Sequence, residues 1–194
     1  MFARLLTVVM LLGLLSGCGI NNIPTYDEQV KAAWSQVQNQ YQRRADLIPN
    51  LVETVKGYAA QEKNVLIAVT EARSKVSSMQ VSPDIINDQQ KMKEFEQAQA
   101  KLTGALSRLM VVVERYPDLK SNQNFLALQS QLEGTENRIS VARRDYIQAV
   151  QKYNTELRTY PGKIWYEILY SGMKLHATYE ASAENAEKPP AVKF

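Results

Sequence analysis

Apolar residues recur every three or four positions along most of this chain, the spacing that places side chains on one face of an α-helix. The first such stripe follows Thr25-Tyr26-Asp27-Glu28, which has the form of a capping box, so a helix is predicted to begin there. Its apolar members are Trp34, Val37, Tyr41, Ala45, Ile48, Val52, Val55, Ala59, Val65 or Leu66, Val69, Ala72 and Val76. The unbroken phase predicts one long helix that buries this face.

Pro49 lies inside the first stripe. Proline in a helix interior removes a backbone donor and clashes with the preceding turn, at a cost of about 3 kcal/mol. The stripe nevertheless keeps its phase, because Ile48 and Val52 are four positions apart. Two interpretations are open: a continuous helix with a kink at Pro49, or a break near residues 44–47 with Asp46 capping the second piece. The continuous helix is preferred.

Two further long helices are predicted. Ser82-Pro83-Asp84 is a start signal, with serine as the cap and proline in the first helical position. That helix should end before Pro117, because proline disfavours helical geometry in the residue before it. Its buried face comprises Met92, Phe95, Leu102, Leu106, Leu109 and Val113. After a loop over residues 118–122, the third helix carries the stripe Phe125, Leu128, Leu132, Thr135, Ile139, Ala142, Tyr146, Ala149, Tyr153 and Leu157.

The end of the chain adds one short element. The aromatic segment 164–169, which follows Pro161-Gly162, is predicted as a short helix that packs across the others and caps their core. The polar residues 181–194 are predicted to be disordered. The sequence therefore predicts an all-α fold, an elongated antiparallel bundle of three long helices over residues 25–170, followed by a flexible tail over residues 171–194.

The N-terminal residues follow the pattern of a bacterial lipoprotein signal. Arg4 is followed by the apolar run Leu5–Leu15, and then by the small residues Ser16 and Gly17 in front of Cys18. Removal of residues 1–17 would leave Cys18 as the first residue, ready to carry the lipid. An uncleaved transmembrane anchor and a buried structural cysteine are the alternatives, but the run is shorter than the roughly 20 residues that cross a bilayer core.

The predicted location follows from the same segment. Residues 18–24 would form a short tether between the lipid and the helices. The second mature residue would be Gly19, which differs from the aspartate associated with retention in the inner membrane of enteric bacteria. We therefore expect a membrane-anchored lipoprotein on the periplasmic face, with the outer membrane favoured.

Composition excludes several classes of function. The formal net charge of +3 is too small for a nucleic-acid surface. Zinc sites of Cys and His are excluded because the chain has one cysteine and one histidine. A Ser/His/Asp arrangement would have to use that histidine, His176, which lies in a predicted tail segment with little around it to hold an imidazole. Met173 stands where a Glu-x-x-His pair would need glutamate, and no phosphate-binding glycine loop is present. No catalytic residue, metal or cofactor is predicted.

Several runs closely resemble the signature of the LemA family over about residues 25–162. They are Ala33–Val37, Arg43–Tyr58, Glu114–Ser121, Glu133–Ile139 and Ala142–Tyr146. The resemblance implies an α-helical bundle, a membrane anchor at the N-terminus, a body outside the membrane and no established enzymatic activity. It also suggests envelope partners, since some relatives are associated with membrane zinc proteases, envelope stress or organelle formation. Many members look anchored by a transmembrane segment, so the lipoprotein signal departs from the family while keeping the same topology.

The LemA-like runs contain two clusters of charged and polar residues. Residues of the first lie three or four positions apart around Pro49, so several can share one helix face. The first cluster comprises Arg43, Arg44, Asp46, Asn50 and Glu53, and the second comprises Arg143, Arg144 and Asp145. Three interpretations are open: a polar layer in which the clusters face each other and fix helix register, a docking surface for a partner, or a ligand or catalytic site. The structural interpretation is preferred.

The functional hypothesis is a lipid-anchored scaffold that presents its surface to other envelope proteins and has no chemistry of its own. The alternative is an enzyme or small-ligand binder that uses the Arg43, Asp46, Glu53 and Arg143 side chains. A binder should have a concave pocket into which several of these groups converge, whereas a scaffold should have a filled core.

Overall fold

The computed structural model describes residues 19–79 and 83–179, and these form six α-helices and one 3-10 helix, without a strand. The elements are α1 Asn22–Tyr58, α2 Lys63–Met79, the 3-10 helix Pro83–Asn87, α3 Gln89–Val113, α4 Pro117–Lys120, α5 Gln123–Arg158 and α6 Gly162–Leu169. The predicted all-α class is confirmed. The lipoprotein signal, Cys18, the Ser82 cap and the tail beyond residue 179 lie outside the described residues.

The chain divides into two compact units. Among the described residues, the first unit, here called the terminal unit, combines 19–41 with 137–176, and the second, the central unit, combines 42–79 and 83–136 with 177–179. Helices α1 and α5 contribute residues to both units.

The core of the central unit is built from apolar faces of four longer helices and α4. Residues three and four positions apart on each helix converge there, as helical periodicity requires. The cluster comprises Ile48, Leu51, Val55, Ala59, Leu66, Val69, Val76, Ala98, Leu102, Leu106, Leu109, Val113, Leu119, Phe125 and Leu132. Every residue of the predicted buried face of α3 is buried, which confirms that prediction.

The first apolar stripe belongs to two helices, so the prediction of one long helix is wrong. Helix α1 ends at Tyr58 and α2 begins at Lys63. Two residues that follow α3 hold the turn between them. The Glu62 carboxylate accepts hydrogen bonds from Arg115 Nη2 at 2.9 Å and from Tyr116 Oη at 3.0 Å. A 3.6-residue period does not reveal such a reversal of chain direction, since α1 and α2 both bury residues in the same core.

Pro49 lies within the continuous helix α1, so the interpretation without a break is correct. Proline lacks the N–H that would bond to the carbonyl four residues earlier, which is that of Ala45. Arg73 of α2 supplies the missing donor, with its Nε 2.9 Å from the Ala45 oxygen. Because this bond pairs residue 45 with residue 73, α2 runs back along α1.

Two predicted helix starts are corrected. Helix α1 begins at Asn22, and the Thr25 N–H already bonds to the Asn21 carbonyl at 3.1 Å, so Thr25 lies in the first turn and is not the cap. Helix α3 begins at Gln89, where Asp88 caps it by accepting from the N–H groups of Gln90 and Lys91. The residues from Pro83 form the preceding 3-10 helix. In both cases a local capping motif matched a nearby site but not the site used.

The terminal unit has its own aromatic and aliphatic core. Trp34 of α1 and Tyr146 of α5 pack with ring centroids 5.2 Å apart. Other buried members are Ile23, Val30, Val37, Tyr41, Ile139, Ala142, Val150, Tyr153 and Leu157. The predicted stripe of α5 is therefore correct, since none of its members is exposed.

Helix α6 follows α5 directly. A Cβ on Gly162 would lie 2.3 Å from the Glu156 carbonyl oxygen, so this close approach requires glycine. The helix forms where it was predicted, but the prediction that it caps the core is wrong for its aliphatic residues. Ile164, Ile168 and Leu169 are 43%, 67% and 53% exposed. None of the described helices has the length and apolarity needed to cross a bilayer.

The bond between Arg73 and Ala45 can be tested with a double-mutant cycle at Pro49. Arg73→Met should lower the free energy of unfolding by about 1–3 kcal/mol, because it leaves a buried carbonyl without a donor. In a Pro49→Ala background the new N–H can take over, so the same substitution should cost clearly less. Chemical denaturation measures both, with Lys75→Met at an exposed position of α2 as the control. Equal costs in the two backgrounds would contradict the compensation.

Candidate functional site

Arg44 is the most buried charged residue of the two predicted clusters, with only 2% of its area exposed. Its Nη1 lies 2.6 Å from Glu136 Oε1 and 3.2 Å from Thr103 Oγ1, and its Nη2 donates to Gln99 Oε1. Thr103 uses its own hydroxyl hydrogen on the Gln99 carbonyl, at 3.1 Å, which leaves its oxygen free to accept. The guanidinium thus joins α1, α3 and α5 inside the central unit.

A buried guanidinium is stable only when its donors are paired. The planar fork of arginine meets these acceptors at fixed angles, which the single ammonium of lysine cannot do. If one helix slid by a turn relative to the others, Arg44 would lose its partners. Arg44 therefore fixes the register of three helices of the central unit, through partners that belong to neither predicted cluster.

The other members of the first cluster lie at the surface. Arg43, Asp46, Asn50 and Glu53 are all exposed. Asp46 accepts a hydrogen bond from Gln42 at 2.7 Å, and Glu53 pairs with Lys56 at 3.4 Å. Such solvated pairs contribute little to stability. The structure therefore separates one core residue from an exposed polar surface on the same helix.

The second cluster, Arg143, Arg144 and Asp145, belongs to the terminal unit, whereas Arg44 belongs to the central unit. That the two clusters face each other stays a prediction. Arg143 and Arg144 line a shallow depression of about 460 Å³. Asp145 lines another of about 360 Å³, together with Arg138 and Gln40. Neither depression is lined by Arg44, Asp46 or Glu53, so these side chains do not converge there as the ligand-binding alternative expects.

Sequence reasoning missed a buried charged site in the terminal unit. Asp27 Oδ1 lies 2.7 Å from His176 Nε2, and Asp27 Oδ2 lies 2.8 Å from Lys31 Nζ. The His176 ring stacks near Tyr153, with centroids 4.6 Å apart. The Asn154 side chain makes two hydrogen bonds to the His176 backbone. It donates to the carbonyl at 2.9 Å and accepts from the N–H at 3.0 Å.

The expectation that little surrounds His176 is therefore wrong. Residues 171–179 form no helix, so they carry no periodic signal, and their order depends on bonds to residues more than twenty positions away. The spacing of Asp27 and Lys31, four apart on a helix, was the only available local signal. The flexible-tail boundary at residue 171 stays a prediction, because most of that segment lies outside the described residues.

The electrostatics of this site centre on Asp27. Burial alone would raise the pKa of its carboxyl, but hydrogen bonds from Lys31 and His176, with their charges, outweigh burial and lower it. Hydrogen bonds to Asp27 and Glu28 raise the pKa of Lys31. Burial, followed by the negative charge of Asp27, raises the pKa of Tyr153 to about 12. The aspartate is thus held ionised between two donors.

This arrangement fixes the segment after α6. A carboxylate next to an imidazole can orient a general base, but that role needs a substrate within reach of the ring. Neither of the two depressions above is lined by Asp27 or His176. Within residues 19–79 and 83–179 no group of three His, Cys, Asp or Glu side chains is placed to hold a metal ion.

Comparison with known proteins places these features in a family. Residues 33–194 match the model of the LemA family. The chain belongs to the LemA family. The match includes Arg44 together with Gln99, Thr103 and Glu136, and it begins after Asp27 and Lys31.

The similar curated proteins bear two kinds of name. Magnetosome protein MamQ 2 of Paramagnetospirillum magneticum is 28% identical over 157 residues, covering 73% of this chain and 58% of the relative. Protein LemA of Metamycoplasma hominis is 24% identical and covers 72% of the chain and 60% of the relative. MamQ of Magnetospirillum gryphiswaldense is 25% identical, with 79% and 62% covered. This LemA-family chain thus spans about three fifths of each relative.

The role of Arg44 is testable beside its exposed neighbour. Arg44→Lys should lower the free energy of unfolding by about 1–3 kcal/mol, since one ammonium cannot reach all three acceptors. Arg43→Lys, at the adjacent exposed position, should change it by less than about 0.5 kcal/mol. Chemical denaturation gives both values. Additive effects of Arg44→Lys and Glu136→Gln would show that the pair is not coupled.

The lowered pKa of Asp27 predicts a pH dependence. The unfolded state binds this proton at higher pH than the folded state, so the contribution is complete above the ordinary pKa of about 4 and is lost as pH falls below it. The stability difference between the wild type and Asp27→Asn should therefore shrink as the pH falls below about 4. Thermal unfolding across this range measures it, with Asp145→Asn as the control for loss of one charge. A difference independent of pH would contradict the assignment.

Proposed function

We propose that this LemA-family protein is a membrane-anchored helical-bundle scaffold of the cell envelope, with no chemistry of its own. The observation that carries the proposal is that one residue of the first cluster is buried whereas the others are exposed. The Arg44 side chain hydrogen-bonds to residues of α3 and α5 and so links three helices. Its neighbours Arg43, Asp46, Asn50 and Glu53 are presented to solvent on α1. A filled core with an exposed polar face suits recognition of other proteins, and the names of the relatives carry no enzymatic activity.

The proposed anchor is the lipid on Cys18. The apolar run Leu5–Leu15 and the small residues Ser16 and Gly17 support processing at that position. A diacylglycerol on the thiol together with an acyl group on the new amino terminus gives the two lipid signals that stable attachment requires. The protein would be held on the periplasmic face, at the outer membrane in preference to the inner one.

The proposed partners are other envelope proteins, with membrane proteases among them, and not nucleic acid. Glu53 and Arg43 occupy the exposed surface of α1 on which such a partner would dock. The alternative function is binding of a small anionic ligand. Its support is the depression on α5, which both Arg143 and Arg144 line.

The experiment that tests this function combines labelling with crosslinking in cells. The full-length chain should incorporate an alkyne-tagged fatty acid and sediment with membranes, whereas Cys18→Ala should incorporate none. A photo-crosslinking amino acid at position 53 should then capture a discrete envelope protein, identified by mass spectrometry, in the lipidated form. The same probe at position 107, exposed on α3, serves as the control surface.

The outcomes separate the hypotheses. An unlabelled wild-type chain would contradict the lipid anchor. A labelled chain that gives no specific product from position 53 would contradict docking on α1. Phosphate-dependent protection of Arg143 and Arg144 against a guanidine-modifying reagent would instead support the ligand-binding alternative.

A further inference from the structure

Helix α6 and Tyr160, two residues before it, carry the largest aliphatic and aromatic exposure among the described residues of the terminal unit. Ile164 and Ile168 are four positions apart and share a face, and Leu169 follows directly. Their exposed fractions are 43%, 67% and 53%, and Tyr160 is 74% exposed. Single exposed apolar residues are ordinary on protein surfaces, but several on one eight-residue helix form a patch that marks an interaction site.

This patch lies near Gly19, the residue that follows Cys18 in the sequence. A Cβ on Gly19 would be 4.0 Å from Pro161 Cγ, the residue that precedes α6. Asn22 also donates to Glu156 Oε1 at 3.1 Å, which holds the start of α1 against the end of α5. Consecutive Cα atoms are about 3.8 Å apart, so a lipid on Cys18 would be attached within a few ångströms of Gly19.

The composition of α6 fits a bilayer surface. Helices that lie in the membrane interface bury aliphatic residues, and the exposed aliphatic residues of α6 stand beside the half-buried Trp165 and Tyr166. Lys163 is paired with Glu167, at 3.9 Å, so the helix brings little net positive charge. Contact with lipid would therefore depend on apolar burial and not on attraction to anionic headgroups.

We propose that α6 is a second membrane contact, in which Ile164, Ile168 and Leu169 enter the interface of the same bilayer that holds the lipid on Cys18. The inference rests on the proposed anchoring at Cys18, which brings a bilayer to this end of the terminal unit. This second contact would orient the terminal unit. A lipid and a helix face together restrict how the unit can tilt on the membrane, whereas a lipid alone leaves it free to rotate.

Tryptophan quenching tests this contact in the full-length protein. The chain has two tryptophans, Trp165 in α6 and Trp34, which is 4% exposed in the core. The lipidated protein is reconstituted into phosphatidylcholine vesicles with and without bromine on the acyl chains near the headgroups. Brominated lipid should quench part of the wild-type emission, and the quenched part should be absent in Trp165→Phe. Quenching should persist at high salt and without anionic lipid.

Charge substitution on the patch provides the decisive comparison. Ile164→Glu with Ile168→Glu should abolish the quenching of Trp165, because carboxylates do not enter the interface favourably. Val141→Glu is the matched control, since Val141 is a 46% exposed apolar residue on α5 of the same unit and should leave quenching intact. Circular dichroism checks that each variant keeps its helices. Quenching that survives the double substitution would overturn the proposal.

The same preparation distinguishes this inference from the anchor on which it rests. The mass of the N-terminal peptide shows whether Cys18 carries lipid. An acylated protein without quenching of Trp165 would overturn the α6 contact and leave the anchor standing. An unacylated protein whose Trp165 is still quenched would overturn the anchor but support the contact. A dimer in detergent that the double substitution dissociates, without lipid quenching, would assign the patch to a second copy and overturn the proposal.

Discussion

The fold of the central unit depends on one buried charge. The guanidinium of Arg44 has its acceptors on two other helices, at Gln99 and Thr103 of α3 and Glu136 of α5. The hydrophobic faces around it would tolerate sliding by a turn, because leucine, valine and isoleucine pack in several registers, whereas an unpaired buried charge is strongly unfavourable. The apolar core therefore supplies most of the driving force, while Arg44 selects the arrangement.

Two further polar contacts follow the same logic at places where regular structure leaves a group unsatisfied. Pro49 removes the N–H that Ala45 would otherwise use, and Arg73 replaces it, so a helix defect becomes a link between α1 and α2. In the terminal unit Asp27, with its lowered pKa, holds His176 on the segment after α6. In each case a specific donor ties together parts of the chain distant in sequence.

These contacts also show how the buried charged residues are used. Arg44 and the Asp27–His176 pair are engaged in structural contacts, and the rest of the first cluster is exposed. Two surfaces stand out among the exposed residues: a polar one on α1 and an apolar one on α6. The proposed scaffold role rests on this division between buried structural charges and exposed residues.

The sequence alone determined the helical class, the buried faces of α3 and α5, the continuity of α1 through Pro49 and the family. All of these depend on periodicity or on runs of adjacent residues, which are local. Only the tertiary structure decided the reversal at residues 59–62, the burial of Arg44 beside exposed Arg43, the pairing of Asp27 with His176 and the exposure of α6. Each of these depends on which distant groups meet, and a helical period specifies a face without specifying what lies against it.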